Sequence, residues 1–373
     1  MSTPSPAHHP FRPIRRLPLL AAALLAALLI EAGLAWLFVR TPGARTYVPW
    51  RIVHSADVYD WSPDNAPRWF HTDDPSLPQA AYLREVILSD TDLTGSPFEQ
   101  QRAVMNWVRQ QANRNEAVQA IPGDPISVYR AMQAGTPAQC GNFATLFAAA
   151  SGSVGLTAIR TWYLEGADGA GGQGHVANEV WVPELNKWVM FDPMNNAYVL
   201  IDGEPASLLE VRRAVLNGER DRLEPVGGPN AHTPPEELFP LYESSMAIVA
   251  LAPSDTPLIN AYRQTWADRL IARLPDVANL PALADSALAL LRGEVRRIVL
   301  MDDLAREHMR PLPIWQAKAL FAGMMLDGLL IGGLGMWLLA RVTLALWRWL
   351  VAPRHTTNQK ARNRMADSVP SAD

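Results

Sequence analysis

The sequence predicts an α+β fold: a helix bearing the single cysteine packed on an antiparallel sheet, with a C-terminal helical region and two transmembrane helices. Three observations lead there. Capped helical segments precede Cys140, and strand-like runs joined by short turns follow it. Two long apolar runs, 17–39 and 319–340, bracket everything between.

A chain of 373 residues can bury a sizeable core in one large domain or two. Hydrophobic residues make up 49% and charged residues 19%, an imbalance to which the apolar runs contribute. A formal net charge of −4, with no interleaved basic and aromatic patch, gives no reason to expect a nucleic-acid partner. One cysteine rules out an intramolecular disulfide and every cysteine-based zinc pattern. The eight histidines include no His-Glu-x-x-His, so neither a metal nor a cofactor is expected.

Residues 1–16, with Arg12, Arg15 and Arg16, read as a basic cytoplasmic tail. The run 17–39 is interrupted only by Glu31 and is longer than the apolar core of a signal peptide, which favours an uncleaved anchor. Residues 40–95 form an N-terminal extension, mostly irregular with a few short strands; His71, Asp73 and Asp74 read as solvated loop residues. Ser96-Pro97-Phe98-Glu99 is a capping box with Pro at the first helical position, and Val104, Trp107, Val108 and Gln111 continue the helix. Asp124-Pro125 opens a second helix and Cys140 a third. Strands are expected at 156–164, 175–182 and 187–192, then a helix at 206–216, which closes a catalytic domain spanning 96–217. Residues 218–318 are a linker and helical region, with 218–253 rich in Pro and Gly and helical spacing at 257–274 and 281–309. The second span, 319–340, contains Asp327, and a basic tail, 341–373, follows. Positive charge outside both spans puts both termini in the cytoplasm and the catalytic domain on the extracytoplasmic (periplasmic) side of an inner membrane.

A thiol at a helix N-terminus faces unpaired backbone N–H groups and the positive end of the macrodipole, and both favour thiolate. It also needs a base, and the base an orienting partner. His175 begins one strand and Asp192 ends the next, so a hairpin brings them to one sheet edge opposite Cys140. Taken singly, each residue has an ordinary structural explanation. Three in this order, each at an element boundary, point to nucleophile, base and orienter. The Cys140 N–H is one expected oxyanion donor, with Gln139 or Gln133 as alternatives for another. Trp162, Tyr163 and Trp181 are candidates to line a substrate groove, core packing being their commoner role.

Four segments carry a family resemblance: Gln139-Cys140-Gly141-Asn142-Phe143-Ala144, Gly155-Leu156-Thr157-Ala158-Ile159-Arg160, His175-Val176-Ala177-Asn178-Glu179-Val180 and Trp188-Val189-Met190-Phe191-Asp192-Pro193. Over roughly 96–200 the chain resembles the transglutaminase-like superfamily, Cys-His-Asp thiol enzymes within the wider papain-like group, as a membrane-anchored bacterial member. The resemblance implies Cys140 as nucleophile, His175 as base and Asp192 as orienter, with Arg160 and Glu179 at structural positions. It departs from the family pattern at Ala177, where an aromatic is common two residues after the histidine.

The function these readings imply is a membrane-anchored thiol enzyme forming a Cys140 thioester, a cysteine peptidase or amidase acting on envelope peptides or proteins. An amine acceptor in place of water would make it a cross-linking transglutaminase. A non-catalytic scaffold binding an envelope peptide or glycan is the alternative from another class.

Overall fold

A computed structural model describes residues 17–41, 47, 48, 50–70, 75–112, 121, 124–156, 159–167, 174–253, 295–308 and 312–351, with scattered positions between 270 and 292. The expectations for residues 1–16, for the C-terminal tail beyond 351, for His71, Asp73 and Asp74, and for nearly all of 257–294 lie outside the described residues. The chain divides into two compact units, one of 41–318 and one of 1–40 with 319–373.

The larger unit is organised by one sheet whose strands are β1 (Trp50–Val53), β2 (Ile159–Glu165), β3 (His175–Val182), β4 (Lys187–Asp192), β5 (Ala197–Ile201), β6 (Glu204–Pro205), β7 (Leu223–Gly227), β8 (Ile248–Leu251) and β9 (Arg297–Leu300). Its order is β1-β9-β8-β2-β3-β4-β5-β6, with β7 also paired to β5. All described pairings are antiparallel except β1 with β9. The fold is therefore α+β, as the strand meander predicts.

Strand side chains alternate between faces, and both faces are apolar because both are covered. On β4, Val189 and Phe191 enter one core and Trp188 and Met190 the other. The first core is roofed by α2 (Pro78–Asp90), α3 (Pro97–Gln110), α4 (Pro125–Gln133) and α5 (Cys140–Ser153). The second takes α6 (Leu208–Leu216), α7 (Leu238–Ser245) and an aromatic cluster around Trp61, Trp162 and Trp188.

Local chemistry sets several boundaries where the sequence predicts them. Ser96 and Glu99 form the reciprocal cap of α3, with bonds of 3.3 and 2.8 Å. Asp124 accepts from the N–H groups of Ile126 and Ser127 at the start of α4. The end of α5 has Gly155 at φ +90°, and the Leu156 N–H returns to the Ser151 carbonyl, closing the helix as a Schellman turn.

Elsewhere the structure corrects the expectations. The extension before residue 96 contains a helix that the sequence reading does not expect, α2 at 78–90, which buries Ala80, Leu83 and Ile87 in the first core. Residues 297–300, expected as helix, are strand β9, because Ile298 and Leu300 bury in the second core and the backbone pairs with β1 and β8. Residues 218–253 contribute β7, α7 and β8. The sheet thus continues past both ends of the 96–217 segment.

In the other unit, α1 (Leu17–Arg40) has 24 residues, and the helix α9 (Leu312–Val351) has 40 and continues through 342–351. Between α8 (Asp303–His308) and this unit, the first turns of α9 still belong to the sheet-containing unit, where Ile314 and Ala317 are buried. Both helices are long and apolar enough to cross a membrane. At ~1.5 Å per residue they exceed a hydrocarbon core of about 30 Å. Leu25, Leu29, Leu326, Leu329 and Met336 are exposed on them, the surface that lipid would cover. Phe38 and Phe321 meet at 6.1 Å between ring centres, and Gly323 admits Leu34 against the α9 backbone.

Candidate active site

Cys140 is the first residue of α5 and is partly exposed. The helix it opens is apolar on nearly every side: Phe143, Leu146, Phe147, Ala149 and Ala150 are buried, as befits a helix enclosed by others and by β3. Asn142 fixes the entry to the helix. Its side chain accepts from the Ile121 and Gln139 N–H groups and donates to the Ile121 carbonyl at 2.8 Å. The N–H groups of Asn142 and Phe143 bond to the Gln139 carbonyl, while those of Cys140 and Gly141 head the helix without an intrahelical acceptor.

His175 and Asp192 meet at one end of the sheet. In the β3/β4 register Asn178 faces Phe191, which brings the beginning of one strand to the end of the other. His175 Nε2 lies 2.7 Å from Asp192 Oδ2, and both side chains are buried. With Nε2 so engaged, Nδ1 is the ring nitrogen left for Cys140, which also interacts with the imidazole. Burial works against charge on the ring but is outweighed by the Asp192 carboxylate and by Cys140, so the His175 pKa rises from 6.5 to about 10. Burial likewise opposes charge on Asp192, and the imidazolium and Asn195 more than compensate, holding this carboxyl below its ordinary range.

Asp192 is saturated with donors. Besides His175, it accepts from the Asn195 N–H at 3.2 Å, the Asn195 side chain at 2.7 Å and the Tyr242 hydroxyl at 3.1 Å. Asn195 in turn accepts from the Thr233 N–H. The turn that carries it continues through Asn196, at φ +48°, whose carbonyl accepts from the Gly228 N–H; any side chain at Gly228 would strike the Asn196 amide. Neither Asn195 nor Tyr242 emerged from the sequence. An asparagine three residues after Asp192-Pro193 was a local turn signal for the first. Tyr242 sits four residues after Leu238 on a short helix, with no local signal beyond that spacing.

A pH dependence follows from the His175 shift. Its folded-state pKa is raised, so the coupling stabilises fully below 6.5 and is lost as pH rises through about 10. The stability difference between the wild type and His175→Ala is expected to be largest below pH 6.5 and to shrink by on the order of 1 kcal/mol or more toward the alkaline end. Denaturant titrations of the two full chains across that range check this, and a pH-independent difference would contradict it.

A cavity of about 500 Å³ opens beside these residues, lined by Gln139, Cys140, Gly141, Asn142, Tyr163 and His175 among others. Gln139 thus lines the same cavity as Cys140 and His175. Gln133 does not line it; its amide donates to Gln111 instead. The two tryptophans proposed for the groove are corrected. Trp162 is wholly buried and its indole N–H donates to Glu179 at 2.5 Å, because even positions of β2 face the second core. Trp181 packs edge-on against Trp188 at 5.6 Å and is absent from the cavity wall. Arg160 and Glu179 form a buried pair at 2.5 Å within that core. Among the described residues no His, Cys, Asp and Glu cluster could hold a metal.

Residues 82–193 match the family model of the transglutaminase-like superfamily, a group that is in general enzymatic and works as thiol peptidases or acyltransferases. No curated protein and no solved structure matches the chain. The matched segment begins within α2 and ends just past Asp192, so it takes in Cys140 and His175 and leaves out Asn195, Tyr242 and β9.

Proposed function

We propose that this transglutaminase-like domain is the catalytic part of a membrane-anchored thiol hydrolase, a cysteine peptidase or amidase acting on envelope peptides or proteins. The observation that carries the reading is the meeting of the α5 N-terminus with a buried imidazole already bonded to a saturated carboxylate. An imidazolium favoured by Asp192 is the partner a thiolate requires. Cys140 Sγ attacks the substrate carbonyl, and the oxyanion develops beside the Cys140 and Gly141 N–H groups. His175 delivers its proton to the leaving amine as the C–N bond breaks, which leaves a thioester. Water, deprotonated by the now neutral His175, then releases the acid and restores the thiolate–imidazolium pair. Partial exposure of Cys140 gives water access, which supports hydrolysis over transfer to an amine.

The charge bias around the two apolar helices supports cytoplasmic termini, with residues 41–318 and their substrates on the extracytoplasmic side. The test uses the full chain in detergent micelles with peptides digested from envelope proteins, quenched in acid and weighed intact. A mass increase on the wild type that Cys140→Ala lacks is expected. No adduct at any time point, with peptides uncleaved, would overturn the reading.

A further inference from the structure

The cavity wall includes Glu165, at the end of β2, and Arg297, at the start of β9. These residues lie 132 positions apart in sequence and are brought together only by the β9-β8-β2 order of the sheet. The Arg297 guanidinium lies 3.6 Å from the centre of the Tyr163 ring, a stacking contact that fixes its plane without using its N–H groups. Its nearest recorded anion is Glu165 Oε1 at 3.7 Å, too far for a hydrogen bond. Among the described residues, the Arg297 guanidinium makes no hydrogen bond. Its side chain is three-quarters buried, with 25% exposure, so a guanidinium with a full set of donors is held in a half-dry cavity that also contains the thiol.

Glu165 offsets that charge from 3.7 Å without occupying any of its N–H donors. Burial raises the Glu165 pKa, with Arg297 opposing. Gly174, next to His175, leaves the space the carboxyl occupies: a Cβ there would stand 3.3 Å from Glu165 Oε2. Low-dielectric walls focus the field of the guanidinium into the cavity, where salt screens it poorly.

We infer that Arg297 is a specificity-determining residue that receives a carboxylate of the substrate at the wall of the Cys140 cavity. The acyl donor is then a peptide that presents a carboxylate close to the amide under attack. Arg and carboxylate match in a planar two-point contact, and the Tyr163 stack holds the fork ready for it. This inference rests on the thiol-enzyme reading for the meaning of the cavity, but its test is separate.

Cys140 is the only cysteine, so its alkylation can be read by intact mass on the full chain in detergent. Iodoacetate carries a carboxylate and iodoacetamide is its neutral counterpart; the ratio of their rates reports recognition of the charge. The ratio is expected to fall about tenfold in Arg297→Gln, to fall less in Arg297→Lys, which keeps the charge without the planar fork, and to rise in Glu165→Gln. An unchanged ratio in Arg297→Gln, or a fall in Glu165→Gln, would overturn the assignment. Failure of the enzyme reading shows differently, as an iodoacetamide rate equal to that of a free thiol and indifferent to His175→Ala, with the ratio still judging Arg297. Protection from iodoacetamide by short acetylated peptides then finds the source of the carboxylate. Protection by the C-terminal acid but not its amide assigns a free C-terminus, and protection by Glu but not Gln peptides assigns a side chain. Equal protection by acid and neutral members of both pairs would overturn the inference.

Discussion

Replacing His175 by Ala is expected to slow acylation of Cys140 by about 10²–10⁴-fold, the range by which a positioned acid–base group accelerates proton transfer. The variant should fold, because Asp192 keeps three of its four contacts, two from Asn195 and one from Tyr242. What it loses is the group that shares a proton with the thiol and later delivers one to the leaving amine. Asp192→Asn retains much of the shape but removes the charge that holds the imidazolium, so it is expected to lie between His175→Ala and wild type. Single-turnover adduct formation with an activated acyl ester, followed by intact mass, measures both. Rates in His175→Ala within a factor of two of wild type would mean that this imidazole has no part in the chemistry.

The second large effect concerns stability. Glu179→Ala is expected to destabilise the sheet-containing unit by about 3–5 kcal/mol, the usual result of removing one partner from a buried ion pair. Arg160 and Glu179 are 2% and 0% exposed, so neither charge can turn to water. Glu179 also accepts from the Trp162 indole at 2.5 Å and from the Leu208 N–H, the first of α6, at 2.8 Å. Its loss leaves two buried donors unpaired and leaves Arg160 with the Tyr59 carbonyl at 2.7 Å and the Trp188 face at 3.9 Å. Glu179→Gln keeps one acceptor oxygen, enough for either the Trp162 indole or the Leu208 N–H but not both, while removing the charge, so a smaller loss than for Glu179→Ala is expected. Guanidinium unfolding of the full chains in detergent, followed by tryptophan fluorescence, gives the comparison. A loss below about 1 kcal/mol for Glu179→Ala would show that the pair is dispensable to the fold.

The same region shows how the ends of the larger unit are tied to its middle. Arg212, buried on α6, donates to both carboxylate oxygens of Asp302 at 2.6 and 2.9 Å and to the Met246 carbonyl at 3.0 Å. These bonds join the segment after β9 and the approach to β8 to the helix that Glu179 caps. They explain why the compact unit runs from 41 to 318 rather than ending near 217.

What the sequence determined by itself was local. Ser96-Pro97-x-Glu99 and Asp124-Pro125 set helix starts because the capping groups and the orphan N–H groups they satisfy lie within three residues of one another. Alternation marked β3 and β4, and the family motif marked Cys140, His175 and Asp192, whose approach needs only one hairpin and the helix before it. Composition alone marked the two apolar runs, 17–39 and 319–340, but not the extension of the second into one helix from 312 to 351. Only the tertiary structure decided the rest. Strand β9 reads as helical in isolation because four apolar-rich residues fit either period, and pairing with β1 and β8 selected the strand. Trp162 looks like a groove residue until the register turns it to the second core. Tyr242 reaches Asp192 across 50 residues of chain, and Arg297 reaches the cavity across 132. The physical reason is the same in each case: caps and periods are interactions between sequence neighbours, whereas cavity walls are built by strand order, and strand order is settled by which faces the whole sheet can bury.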